Sequence, residues 1–252
     1  MTQIPGLKPL YDSANGIMRV VGFMSGSGRN ICKLLEHQKQ IGDKVYQIVA
    51  LFSDRAESNA PKIGKEFDIP VVVRDIEGFY AKRGISRKDL SLRADFDAET
   101  IQALKPYGAS TAAFGGYMSI LSPVLVDAFV GVNVHPADLS VRKLNGKPRY
   151  TGAKAVMKAM NEKETHLRAS THIMAEEVDC GSILIISQPI HVDPKESATN
   201  NQNRLKEQGD WIIFPRTLEY LAKGRFTEDT TTKIVHFDGT PIPSGIKLEN
   251  IA

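Results

Sequence analysis

An amide and an imidazole stand two residues apart in the stretch Gly131-Val132-Asn133-Val134-His135-Pro136. The β-branched residues around them favour a strand, where side chains alternate, so Asn133 and His135 must emerge on one face. Pro136 ends that strand, because it lacks the N–H that another ladder bond would need. At a strand's carboxyl end the pair suits acyl-group chemistry. The amide can donate to a carbonyl oxygen and the imidazole can move a proton. The alternative is a polar strand end that makes ordinary turn hydrogen bonds.

A second group with chemical potential is Ser25-Gly26-Ser27-Gly28-Arg29-Asn30, which follows an apolar run at 18–24 and precedes Ile31, Leu34 and Leu35 at helical spacing. Strand, glycine-rich turn and helix in that order expose backbone N–H groups at the positive end of a helix, which is a site for an anion such as phosphate. Ile31 stands where the dinucleotide fingerprint wants a third small residue, although Asp54, after the second strand, could hold a ribose. A tight strand-to-helix turn also needs glycines for structural reasons alone.

Stepping outward, 252 residues with 42% hydrophobic and 24% charged side chains are enough for one sizeable core, and one domain is expected. A formal net charge of +3 is too small to argue for nucleic acid but suits small anionic ligands. Cys32 and Cys180 form neither a disulfide framework nor a metal-ligand spacing, which fits a reducing cytoplasm. The first fifteen residues lack the apolar core of a secretory signal, and no apolar run is long enough to span a bilayer, so no membrane is expected.

The elements that must position these groups read as follows. Strands are expected at 18–24, 46–52, 69–73, 109–114 and 131–135, with helices at 31–37, 59–67, 96–104 and 123–128. The basic stretch 74–93 reads as a loop or irregular helix carrying solvated charge. Gly115 and Gly116 allow close backbone approach, and Met118, Ile120 and Leu121 supply an apolar lining. A polar basic loop spans 138–150, followed by a helix at 151–160 with Thr151 as N-cap. Strands at 167–174 and 182–189 flank an acid-rich turn containing Asp179. A long helix at 200–223 is expected to kink at Pro215, and the tail from 226 suggests a hairpin. Strands interleaved with helices point to a doubly wound, mostly parallel α/β sheet of Rossmann-like type, with ligands beyond the carboxyl ends of the strands.

Five segments in this order resemble the folate-dependent formyltransferases, and among them those acting on glycinamide ribonucleotide. They are residues 25–31, 115–122, 133–136, the pair 171–173 with 176–181, and 210–215. The resemblance covers residues 19–224 and implies a formyltransferase domain at 18–225, with an N-terminal arm at 1–17 and a C-terminal extension at 226–252. It further implies that Asn133 stabilises the oxyanion formed when an amine attacks the formyl carbon of 10-formyltetrahydrofolate, that His135 shuttles the proton, and that Asp179 holds the imidazole. Gly26, Ser27, Gly28, Arg29 and Asn30 would hold the substrate phosphate. Met118, Ser119, Ile120 and Leu121, with Ala175, Glu176, Glu177 and Val178, would hold the folate, and Asp210 the ribose. His172 and Gly152 would support the site, and no metal is required.

This chain departs from the family pattern at three places. Ala137-Asp138-Leu139-Ser140 replaces the usual Ser-Leu-Leu-Pro, Arg29 replaces a small hydroxyl residue, and Asp210 is shorter than the usual glutamate. These changes fall on the loops that choose the acceptor. Another amine, or water in a formyltetrahydrofolate hydrolase, therefore remains open as acceptor, and so does a folate-binding relative without turnover. An NAD-type oxidoreductase built on Gly26, Gly28 and Asp54 is the reading of another class. Small-molecule partners, no nucleic acid and a homodimer complete the expectation.

Overall fold

Apolar runs in the first half of the chain call for strands covered on both faces, and such strands form. Of the seven residues Met18–Met24 only Arg19 is exposed, and all four of Thr111–Phe114 are buried. The computed structural model of the chain describes residues 6–42 and 44–251. Residues 1–5 of the expected arm and residue 252 of the expected C-terminal extension lie outside the described residues.

After β1 (Leu7–Pro9), residues 17–132 form one compact unit. It holds β2 (Met18–Met24), α1 (Arg29–Ile41), β3 (Tyr46–Ser53), α2 (Ala60–Phe67), β4 (Val71–Val73), α3 (Ile76–Ala81), α4 (Arg93–Leu104), β5 (Thr111–Phe114) and α5 (Pro123–Ala128). The strands run in the order β5-β2-β3-β4 and pair in parallel. The register sets Phe23 beside Phe114, Met24 beside Ser53 and Ser53 beside Val73, so the loops that follow these strands leave from one edge. Phe23 anchors the core, its ring centroid 4.9 Å from Phe52, 4.7 Å from Phe114 and 5.6 Å from Tyr117.

β6 (Val130–His135) leads into the second compact unit, made of residues 1–16 and 133–252. This unit contains α6 (Ala155–Asn161), β7 (His166–Leu167), β8 (Ser170–Ile173), β9 (Ile183–Ile186), β10 (Ile190–His191), α7 (Ala198–Leu205) and α8 (Trp211–Ala222). β11 (Phe226–Asp229), β12 (Val235–Phe237), β13 (Thr240–Pro241) and β14 (Ile246–Lys247) follow. Its sheet runs β14-β9-β8-β6, with β14 parallel and β8 antiparallel to β9. The expected tail hairpin is present as β11-β12-β13, and β1 adds to it by pairing with β11. The protein is thus an α/β fold with mostly parallel strands. No helix of the described residues is long and apolar enough to cross a membrane.

Three local expectations need correction. The helix expected at 151–160 begins at Ala155, and Lys154 rather than Thr151 is its N-cap, because Gly152 adopts a left-handed φ of 73° that a helix cannot include. The helix expected to kink at Pro215 breaks earlier, in a π-helical turn at Lys206–Asp210, and Pro215 lies inside α8. A proline ring clashes with the carbonyl four residues before it in a regular helix, and the wide turn ahead of Pro215 is where that irregularity is taken up.

The third correction concerns the stretch 74–93, expected as a loop or irregular helix carrying solvated charge: residues 82–89 are turn and loop with Lys82, Arg83 and Lys88 exposed, but the stretch also holds a regular helix and one buried charge. It includes α3, capped by Asp75, whose carboxylate accepts from the amides of Glu77 and Gly78. Arg93 at its end is only 4% exposed and pairs with the fully buried Asp97 at 2.8 Å. The backbone amide and hydroxyl of Ser122 also donate to Asp97. Burial pushes the Asp97 carboxyl above its usual range despite these partners. Replacing Arg93 with Met strands that carboxylate and should destabilise the protein by about 3–5 kcal/mol, read as a fall in the urea midpoint. The double variant Arg93→Met/Asp97→Leu, which buries no lone charge, should recover most of the loss.

Candidate active site

β6 delivers Asn133 half-buried and His135 buried, from alternate positions of one strand face. Beside it, β8 brings His172, 1% exposed. The turn from β8 to β9 brings Asp179, 7% exposed. That turn depends on two unusual backbone positions. Asp179 sits at φ 58°, a left-handed conformation that aspartate tolerates better than most residues. A Cβ on Gly181 would lie 1.8 Å from the carbonyl oxygen of Ile173, so only glycine fits there.

The four side chains meet. His135 Nδ1 lies 3.3 Å from Asp179 Oδ1, and His172 Nε2 lies 3.6 Å from the same oxygen. Gly152 donates its amide to Asp179 Oδ2 at 2.7 Å. His172 Nδ1 stands 2.9 Å from the carbonyl oxygen of Ile173, which can only accept, so Nδ1 carries the proton. Nε2 of His172 then accepts from Asn133 Nδ2 at 3.0 Å. This bond turns the amide nitrogen of Asn133 inward and leaves its second N–H for another acceptor. His135 Nε2 lies 2.9 Å from the carbonyl oxygen of Tyr150 and must donate to it. Nδ1 is therefore the basic nitrogen of the neutral ring.

Burial sets the electrostatics of both groups. Desolvation pulls the His135 imidazole below its ordinary value, against the pull of Asp179 and the Tyr150 carbonyl. For Asp179, burial alone would raise the carboxyl, but the neighbouring His172 and His135 rings and the Gly152 amide outweigh it and hold it below the usual carboxylate range.

The remaining candidates divide between the two units. In the unit of residues 17–132, Gly28 is the left-handed N-cap of α1, and a Cβ there would meet Ile63 Cδ1 at 2.5 Å. Gly26, Ser27 and Arg29 are exposed around it and Asn30 is buried. This turn is tied to the 115–121 segment, since Ser25 donates its amide to Gly116 O and Met118 donates its own to Ser25 Oγ. Met118 and Ile120 are 59% and 46% exposed, while Leu121 is buried. Ser119 donates to Asp54, which is wholly buried, so the carboxylate that a dinucleotide reading would set against a ribose is committed to the protein.

A cavity of about 170 Å³ beside Met118 and Ile120 is lined by Tyr80, Arg87 and Arg93. The sequence reading missed these three, because their only signal was a basic stretch that looks like solvated surface. In the other unit, Ala175 is partly buried and Glu176, Glu177 and Val178 are exposed. Lys147 of the basic loop pairs with Glu177 at 2.5 Å. Asp210, expected against a ribose, is only 2% exposed at the end of the π-helical turn, and in this conformation it faces the protein interior.

Residues 18–218 match the family described as formyl transferase. The chain belongs to the formyl transferase family. It is similar to the phosphoribosylglycinamide formyltransferase of Haemophilus influenzae, 23% identical over 227 residues that cover 89% of this chain and 96% of that protein. It is also similar to the trifunctional purine biosynthetic protein adenosine-3 of Drosophila pseudoobscura pseudoobscura, 28% identical over 209 residues that cover 82% of this chain but 14% of that longer protein. Among solved structures, the phosphoribosylglycinamide formyltransferase of Coxiella burnetii aligns with a TM-score of 0.73 and 24% identity, covering 92% of this chain and 99% of that one, a likeness of fold. A formyl transferase has to stabilise an oxyanion on the formyl carbon and move a proton, and the Asn133–His135 strand face offers a donor and a base for those two tasks.

The dyad of this formyl transferase makes stability depend on pH in a defined direction. Both folded values are depressed, so each group's contribution is present above its unfolded value and is lost as pH falls. The loss should begin as pH drops through about 6.5, where unfolded histidine takes up a proton, and continue below about 4 for Asp179. Thermal unfolding of wild type against His135→Gln should show the gap between them narrowing from pH 7 to 5. Parallel curves would mean that His135 titrates alike in both states.

Proposed function

We propose that the protein transfers a formyl group from 10-formyltetrahydrofolate to the amine of glycinamide ribonucleotide, a step of purine biosynthesis. The observation that carries this reading is the placement of Asn133. His172 takes one of its amide hydrogens, and the second stays available on the strand face that also carries His135.

The acceptor amine adds to the formyl carbon, and the carbonyl oxygen becomes an oxyanion to which Asn133 donates its spare N–H. The amine must then lose a proton. His135 Nδ1 takes it, and the imidazolium so formed has the Asp179 carboxylate 3.3 Å from Nδ1 to balance its charge while Nε2 donates to the Tyr150 carbonyl. Collapse of the intermediate breaks the bond from the formyl carbon to the folate nitrogen, which takes the proton back from His135. The ribonucleotide phosphate would rest on the turn Gly26–Asn30, with its backbone N–H groups, the positive end of α1 and the added cation of Arg29. In one unit Met118, Ser119, Ile120 and Leu121, and in the other Ala175, Glu176, Glu177 and Val178, are the candidate folate contacts, and the exposure of Met118, Ile120 and Val178 leaves them available to a ligand. The two free cysteines fit a reaction carried out in the reducing cytoplasm.

The test is a spectroscopic assay for loss of the formyl group from the folate, run with and without glycinamide ribonucleotide. Turnover should require the ribonucleotide. Turnover without it would make water the acceptor, and turnover only with another amine would move the assignment to that amine. His135→Ala should lower kcat by about a hundredfold to ten-thousandfold and Asn133→Ala by about a hundredfold to a thousandfold, each with little change in folate affinity. Normal turnover in His135→Ala would exclude the mechanism.

A further inference from the structure

The segment Tyr150–Gly152 touches the His135–Asp179 pair through backbone atoms alone. Its carbonyl at Tyr150 accepts from His135 Nε2 at 2.9 Å, and its amide at Gly152 donates to Asp179 Oδ2 at 2.7 Å. Nothing about a backbone atom fixes where it sits, so some side chain has to hold it. Tyr150 is 4% exposed, and its hydroxyl lies 2.9 Å from Glu162 Oε2 and 2.7 Å from Glu164 Oε1, at the carboxyl end of α6. Arg149 pairs with Glu162 at 2.5 Å and so ties the neighbouring residue to the same place.

We propose that Tyr150 is a positioning residue: anchored by its hydroxyl on Glu162 and Glu164, it fixes its own carbonyl against His135 Nε2 and thereby selects the tautomer whose basic nitrogen, Nδ1, faces Asp179. This extends the formyl-transfer reading and rests on it for its catalytic consequence, though not for its tautomeric one. Two acceptors compete for the single proton of the neutral ring. The carbonyl holds it because an undonated contact at 2.9 Å would set lone pair against lone pair, whereas Asp179 stands further off, at 3.3 Å. If the carbonyl moves away, the negative carboxylate takes the proton on Nδ1, and the basic nitrogen becomes Nε2, on the side where Tyr150 had been. The other titratable groups near the ring are His172 and Lys158, and both oppose its protonation.

The experiment is a long-range nitrogen–proton correlation spectrum of the histidine rings in wild type and in Tyr150→Phe, which keeps the buried ring and removes only the hydroxyl. Wild type should show His135 with the proton on Nε2, and the variant a shift of population toward Nδ1. Its kcat should fall about tenfold with KM for the folate unchanged, as expected for a misaimed base. The acid limb of its kcat–pH profile should move to lower pH, because the ring has lost an acceptor for its charged form. Glu162→Gln/Glu164→Gln, which leaves Tyr150 intact, should move the tautomer the same way to a smaller degree, and it serves as the probe should Tyr150→Phe fold poorly. An unchanged tautomer in the variant that folds would overturn the proposal. A changed tautomer in a protein that formylates no amine would uphold the positioning role and sink the formyl-transfer reading instead.

Discussion

A carboxylate that is nearly out of water needs donors, and the requirements of Asp179 organise the second compact unit. It is 7% exposed, and an unpaired charge at such a site would be too costly to keep. The chain supplies one fixed donor, the backbone amide of Gly152, and sets two imidazole rings beside the carboxylate, His135 from β6 and His172 from β8, either of which can compensate its charge on taking up a proton. Each then has to be oriented in its turn. His172 is fixed by the carbonyl of Ile173 and hands its second nitrogen to Asn133, and His135 is fixed by the carbonyl of Tyr150. The amide suited to meeting an oxyanion is thus aimed by a histidine, which is itself aimed by backbone.

The same logic explains why residues 150–154 are not helical. Helix geometry from Thr151 onward would turn the Gly152 amide along a helix axis and away from Asp179. Gly152 instead adopts φ 73°, and α6 starts only at Ala155. The irregular stretch follows from the site's demand for a donor at that point, and helix propensity gives way to it.

How much of this was legible in the sequence depended on whether a feature was local and periodic. The placement of Asn133 and His135 on one face followed from strand alternation, and the strands at 18–24 and 131–135 from their apolar runs. The glycine turn before α1 was marked by its own composition. The meeting of Asp179 with His135 does not follow from any local pattern, since 43 intervening residues separate them, and it came only from likeness to a family. Arg93 was misread because an arginine whose partner lies four residues on in a buried helix face looks, in sequence, like one on a wet face. The Tyr150 carbonyl was beyond reach altogether, for a backbone acceptor has no letter in the sequence. The π-helical turn at 206–210 was hidden behind Pro215, the more conspicuous breaker.

The pairing of β1 with β11 bears on the order in which the chain takes shape as it is made. Thr230 donates its hydroxyl to Gly6 O across a separation of 224 residues, so the sheet built from both ends has a very long loop to close. Residues 17–132 have their β2 to β5 partners at hand once the first half has been synthesised, whereas β1 has to wait for nearly all the rest. During translation Leu7–Pro9 is therefore an unpaired strand tethered to an already compact body, which joins its sheet only when synthesis has passed residue 229. Proline at the end of so short a strand removes one free N–H from its edge, which makes pairing with other unfinished chains less favourable in that interval.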